Sequence, residues 1–237
     1  MNSIVIVSRT ENDLFDSVLS KSLNNINTKC VNVADKPDSD DLKTLGKKYN
    51  IGLDVALKNN IISHDTIVLF MKPEAYIMDN SFVEKFAIIF NRNPNIGLVG
   101  VVGSEKLTEN VSLLDEKNIP HNSIVMGNET LIKFNNDTGF YNNIIGVSDI
   151  CFAIKGDVLL SNNILFDDAI DCGVGIDICT KMLELGYDVT IADILISAHG
   201  NIDTPYEYIE NIVDMSNGVY SKDDVNVNNN HIVNIEL

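Results

Sequence analysis

Three short apolar runs constrain the fold before any chemistry is considered. Ser3–Ser8 (SIVIVS), Thr66–Met71 (TIVLFM) and Ile96–Val102 (IGLVGVV) are too brief for helices and show little alternation of polar with apolar positions. Runs of this kind suit strands buried on both faces, the condition of a parallel sheet with a helix layer on each side. The segments between them supply the helices. Glu11–Asn24 carries Leu14, Phe15, Val18, Leu19 and Leu23 at helical spacing, and Phe82–Phe90 reads as a further helix. Cys30–Ala34 is strand-like, and helical segments flank Asn50-Ile51-Gly52. The alternation predicts an α/β fold: a mainly parallel central sheet with helices on both faces.

Beyond Gly103 the pattern changes. Residues 104–147 are loop-rich, with strand candidates at Ser123–Met126 and Thr130–Phe134. Asp149–Ile154 reads as another strand, and Val174–Leu185 as an amphipathic helix closed by Gly186-Tyr187. A strand then runs to His199, and Thr204–Gly218 is predicted helical, with Thr204 as N-cap and Pro205 at the first helical position. The tail, DVNVNNNHIVNIEL, alternates apolar and polar residues. It suits a hairpin on the edge of the body or an oligomerisation element of a homo-oligomer. With no repeat and no long linker, residues 1–218 are expected to form one domain of two halves, 1–103 and 104–218, followed by the tail 219–237.

Charge narrows the partners. A formal net charge of −17 disfavours nucleic acids and anionic membrane surfaces, which require a basic footprint. No apolar run approaches the roughly 20 residues of a membrane span, and Met1-Asn2-Ser3 leads directly into the first strand without a signal-peptide pattern. The four cysteines contain no CxxC pair and read as reduced thiols of a cytoplasmic protein.

In open α/β sheets ligands bind beyond the carboxyl ends of the strands. There the sequence offers Ser8 and Arg9, Asp35, and Glu74 after Lys72-Pro73. Arg9 suits a phosphate or is a solvated surface cation. Asp35 suits a ribose or base, or is a turn former before Lys36-Pro37. Asp167, Asp168, Asp171 and Asp177 gather at one end of the Val174 helix, and His199 ends a later apolar run. Carboxylates and an imidazole in one region suit a divalent metal and a phosphorylated substrate. Asp177 in a first helical turn, however, is also what capping and the helix dipole favour.

Several strings resemble the family 2-like glycosyltransferases of the GT-A fold, in particular the subgroup named after a streptomycin-biosynthesis protein. They are Tyr49-Asn50-Ile51-Gly52, VLFMKPEAYI, Ile96–Ser104 (IGLVGVVGS), Val147-Ser148-Asp149, Phe166-Asp167-Asp168, and the helix ending in Gly-Tyr before the strand to His199. The resemblance covers most of residues 3–200. It implies a GT-A-like nucleotide-diphospho-sugar transferase fold, a nucleotide-sugar donor, an acceptor of unknown identity and an Mn²⁺ or Mg²⁺ ion. It further implies that Glu74 and His199 hold the metal and that Asp149 faces the sugar; with Asn50 of the matching segment, the strand-end residues Ser8, Arg9 and Asp35 are then the candidates for binding substrate.

Two departures accompany it. The position of the family's usual catalytic base falls on Gly175, leaving Asp177, Asp171 or Asp168 to serve, or no base at all. Tyr76 stands where a second metal carboxylate would be wanted. A GT-A-fold protein that binds a nucleotide-sugar or a partner without transferring sugar is therefore the main alternative. A sugar-nucleotide nucleotidyltransferase would need a Gly-rich basic loop after the first strand, and Ser8-Arg9-Thr10-Glu11 is not one.

Overall fold

The computed structural model describes residues 2–9, 18–23, 26, 28–34, 44–77, 79, 81–105, 124–126, 130–132, 144–192, 194, 196–198 and 232–236. The first half runs β1 (Asn2–Arg9), α1 (Val18–Leu23), β2 (Lys29–Ala34), α2 (Leu45–Lys58), β3 (Thr66–Met71), β4 (Ala75–Ile77), α3 (Phe82–Arg92), β5 (Ile96–Gly100) and β6 (Gly103–Ser104). The second runs β7 (Ile124–Met126), β8 (Thr130–Ile132), β9 (Gly146–Val147), β10 (Cys151–Lys155), α4 (Gly156–Asn162), α5 (Val174–Glu184), β11 (Asp188–Ile191), β12 (Ile196–Ala198) and β13 (Ile232–Glu236).

The central sheet has the order β11-β5-β10-β3-β1-β2-β13. Every neighbouring pair is parallel except those of β10, which lies antiparallel between β3 and β5. A second sheet, β4-β12-β7-β8, and the pair β6-β9 lie beyond the strand ends. Pleat alternation distributes the core. Ile4 and Ile6 of β1 pack with Tyr49, Leu53 and Ala56 of α2 and Ile178 and Met182 of α5. Val5 and Val7 pack with Leu19 and Leu23 of α1 and with Phe82, Phe86 and Phe90 of α3. The mostly parallel sheet with helices on both faces is thus the observed architecture.

Local chemistry fixes the helix ends near the strand termini. Asp79 precedes α3, accepting from the Ser81 amide at 2.9 Å and pairing with Lys85 at 2.5 Å. Burial alone would raise the Asp79 carboxyl, but the hydrogen bonds from Lys85 and Ser81 outweigh it and hold it below its ordinary value. At the far end of α5, Gly186 takes a φ of 82°, and the Tyr187 amide returns to the Met182 carbonyl at 3.0 Å. That is the Gly-closed helix end expected from Gly186-Tyr187.

Some expectations require correction. Asn50-Ile51-Gly52 does not separate two helices but lies inside α2. Gly52 is a packing position, since a Cβ there would come within 2.4 Å of Ile6 Cγ2, so the glycine lets the helix approach β1. The strand expected from Asp149 begins at Cys151, with Asp149 in the preceding turn. Helix α4 was not anticipated, being only two turns long. In the tail, β13 pairs parallel with β2 at the sheet edge. Asp35, His199 and the Thr204–Gly218 segment lie outside the described residues.

Candidate active site

The carboxyl ends of β1, β3 and β5 lie on one side of the sheet, and the antiparallel β10 begins there. Met71, the last residue of β3, pairs with Cys151, the first of β10. The Lys72 amide donates to the Ile150 carbonyl at 3.1 Å, joining the turn that carries Glu74 to the turn that carries Asp149. Two of the anticipated residues therefore meet at one place. Ser8 and Arg9 are placed by their backbone at the end of β1, and their side chains lie outside the described part.

Asp149 is buried, and each of its oxygens accepts a backbone amide. Its Oδ2 accepts from the Gly173 amide at 2.8 Å and its Oδ1 from the Gly175 amide at 2.7 Å. Gly173, the N-cap of α5, has φ 88° and no side chain to serve the orphan amides of the first turn. Asp149, in the turn before β10, accepts from the first-turn amide of Gly175 and from the cap's own amide, and so fixes where α5 begins. Gly175 lies against β9: a Cβ there would stand 2.2 Å from the Val147 carbonyl oxygen and 3.0 Å from its carbon. No carboxylate can occupy position 175 while β9 stays where it is.

Asp177 and Asn50 hold the acidic loop from opposite sides. Asp177 Oδ2 pairs with Lys181 at 2.7 Å and accepts weakly from the Asp167 amide at 3.4 Å, while Lys181 also donates to the Leu165 carbonyl at 3.0 Å. Asn50 reads the loop backbone twice, donating to the Phe166 carbonyl at 3.0 Å and accepting from its amide at 2.9 Å. Its amide also donates to Asp168 at 2.7 Å. Asp171 caps α2 through the Leu45 amide at 3.1 Å, and Thr44 donates to the Asp168 carbonyl. The four aspartates thus have separate partners, Asp167 the Ala169 amide of its own loop, Asp168 Asn50, Asp171 the start of α2 and Asp177 Lys181, and are not gathered around one point.

Sequence reasoning quoted Tyr49 within Tyr49-Asn50-Ile51-Gly52 but gave it no role of its own. Its ring is fully buried, 5.1 Å from Phe70 and 5.4 Å from Phe166 between centroids, and edge-on to Phe152. Its hydroxyl has no hydrogen-bond partner among the described residues, and neither has the buried Oε2 of Glu74. Burial first, then the charges of Asp149, Cys151 and Glu74, raise the phenol well above its ordinary range, so it remains a donor. The available signal was a tyrosine on the apolar face of a helix, in register with Leu45, Leu53 and Ala56. Burial likewise pushes the thiol of Cys30 up to about 12 and raises those of Cys151 and Cys179, which makes them core groups and not nucleophiles.

Among the described residues no three His, Cys, Asp or Glu side chains cluster as a protein-only metal site would need. An Mg²⁺ or Mn²⁺ shared with substrate phosphates needs only one or two carboxylates. Glu74, at a strand end with one buried oxygen unpartnered, has the chemistry for that. The cavity between α2 and α4, about 220 Å³, is of another kind. It is lined largely by apolar residues such as Leu53, Leu57, Leu159 and Ile164, and its Asp54 is paired with Lys58. Among the described residues no helix is long and apolar enough to cross a membrane.

No curated protein matches the chain in sequence. Among solved structures, a CMP:2-keto-3-deoxy-manno-octonic acid synthetase complexed with CTP is 10% identical with a TM-score of 0.44, covering 91% of this chain and 98% of its own. A mycobacterial protein is 11% identical with a TM-score of 0.45, covering 90% and 71%. The mannose-6-phosphate isomerase of Helicobacter pylori is 8% identical with a TM-score of 0.32, covering 100% and 98%. Likenesses this distant carry nothing about chemistry. The sequence profile of the glycosyltransferase-like family is different in kind: it matches residues 55–217, well over half of the chain, and the chain belongs to that family.

Proposed function

We propose that the chain transfers a sugar from a nucleotide-diphosphate donor to an acceptor hydroxyl, in glycan or secondary-metabolite assembly, as a GT-A-type enzyme of the streptomycin-biosynthesis-protein subgroup acting in the cytoplasm. The observation that carries this reading is Glu74: a carboxylate at the carboxyl end of β3 with one buried oxygen unpartnered, in a chain of the glycosyltransferase-like family. Glu74, with His199, would hold an Mn²⁺ or Mg²⁺ ion, which when bound neutralises charge on the departing nucleoside diphosphate. Ser8, Arg9 and Asp35 stand at or after strand ends where a donor would lie. Asn50 serves by shaping the loop around Phe166, and Asp149 by setting the start of α5.

In transfer with inversion, the acceptor oxygen bonds to the anomeric carbon as the bond to the diphosphate breaks, and a carboxylate takes the acceptor proton. Asp177 is assigned that role, and it must exchange its Lys181 partner for the acceptor hydroxyl. One set of observations favours a second reading, a nucleotide-sugar binder without transfer. Position 175 is closed to a carboxylate, Asp149 is occupied by two amides, and Asp177 is ion-paired. Calorimetric titration with UDP, GDP and their sugar conjugates, with and without Mn²⁺, followed by assay of donor turnover, tests both. Metal-dependent binding with turnover supports transfer, binding without turnover supports the second reading, and no binding by the folded protein refutes both.

A further inference from the structure

The function proposed above uses Glu74 but gives no role to the buried Tyr49 hydroxyl. The Tyr49 hydroxyl and Glu74 Oε2 are both enclosed, and both lack a partner among the described residues. The fold brings them to the same end of the sheet. Phe70 and Phe152, against which the Tyr49 ring packs, are register partners in β3 and β10. Glu74 follows Phe70 by one turn of chain, and Asp149 lies just ahead of Phe152. A buried hydroxyl requires an acceptor, and leaving one unmade is costly. Asp149 already receives an amide on each oxygen. Glu74 Oε2, an acceptor without a donor, is the complementary vacancy.

We propose that the Tyr49 hydroxyl is a positioning donor for Glu74, joined to Oε2 through one buried water, so that the carboxylate is held with its other oxygen toward the ligand. The inference rests on Glu74 being the metal ligand of the proposed function, and it extends the site into the core of α2. Donors behind a metal-binding carboxylate orient it and raise its affinity, and losing one costs about 10-fold to 100-fold in metal affinity. A phenylalanine at position 49 keeps the ring packing and removes only the donor.

The test is a double-mutant cycle with Tyr49→Phe, Glu74→Ala and the double variant, read in two ways. The first readout is the affinity for UDP and GDP with Mn²⁺ and without it. Tyr49→Phe is expected to weaken the Mn²⁺-dependent affinity about 10-fold and leave metal-free affinity unchanged. Unchanged Mn²⁺-dependent affinity in a folded Tyr49→Phe protein overturns the proposal. The second readout is urea stability without metal, where the two substitutions are expected to be non-additive. If Glu74→Ala still binds Mn²⁺ and nucleotide normally, the metal assignment fails, and stability alone then decides the link. Non-additivity upholds it, and additivity overturns it.

Discussion

Replacing Gly175 by alanine tests the packing that closes the expected base position, and it does so through the sign of the effect. Helix propensity alone predicts that alanine inside α5 stabilises the protein by about 1 kcal/mol. The geometry predicts the opposite. The new Cβ would stand 2.2 Å from the Val147 carbonyl oxygen, a backbone atom that no rotamer change can move aside. Overpacking of this kind costs about 1–3 kcal/mol, occasionally more. Relief by shifting α5 would stretch the 2.7 Å bond from the Gly175 amide to Asp149, a charge-assisted contact contributing about 1.5–3 kcal/mol. By either route, with the propensity gain subtracted, the net loss is up to about 2 kcal/mol, or a fall of up to about 1 M in the urea midpoint at an m-value of about 2 kcal/mol/M. The chain lacks tryptophan, so circular dichroism is the suitable probe. Gly186→Ala is the control: its φ of 82° opposes a side chain but nothing lies within 4 Å, and a loss of about 1 kcal/mol is expected. A Gly175→Ala protein as stable as wild type, or more so, would refute the packing.

Four further outcomes are expected. Asp149→Ala leaves the Gly173 and Gly175 amides without their acceptor and should lower stability by about 3 kcal/mol in urea titration; Asp149→Asn, keeping one acceptor oxygen, should lose roughly half of that. Glu74→Ala should abolish metal-dependent nucleotide binding by calorimetry with the circular-dichroism spectrum unchanged, and normal binding would remove Glu74 from the site. Asp177→Asn should lose turnover by at least about 100-fold while keeping donor affinity, and normal turnover would assign the proton to another group. Asp79→Asn should cost about 1 kcal/mol at neutral pH. Because the folded Asp79 carboxyl is held low, its stabilisation is present above the unfolded carboxylate range and is lost as pH falls through the folded value. The difference between wild type and variant should therefore shrink in acid, and one that grows there would contradict the assigned ion pair with Lys85.

Parts of this fold are legible in the sequence for a simple reason. β1, β3 and β5 are buried on both faces, so burial is written as uninterrupted apolar residues, and Phe82, Phe86 and Phe90 announce their helix by spacing alone. Strand direction is not written in that way. β10 has the apolar content of its parallel neighbours and runs against them, because the chain re-enters at the strand ends after 104–144, and periodicity carries no sign. Gly52 misled for a related reason. A glycine that breaks a helix and one that lets a helix approach a strand are the same letter, and only Ile6, 46 residues away, distinguishes them.

The site divides along the same line between local and distant causes. Glu74 at a strand end and Asp177 in a first helical turn are local facts, and so is the Asp177–Lys181 spacing that makes an ion pair on α5. What Asp149 does is distant: its two acceptor bonds reach amides 24 and 26 residues on, where Gly173 supplies a positive φ and Gly175 the room beside Val147. This changes the meaning of the missing base. Were Gly175 a lone loss, an aspartate restored there would restore proton transfer. Instead the Val147 carbonyl occupies the space of a side chain at 175 while Asp149 holds the Gly175 amide, so the start of α5 is built around the absence of a side chain there. Under the proposed transfer, the carboxylate that receives the acceptor proton would have to come from elsewhere in the first turn, where Asp177 is held by Lys181, or from the loop before it. On the proposed function, the choice between transfer and binding alone would rest on whether an acceptor hydroxyl can compete with that lysine for one carboxylate.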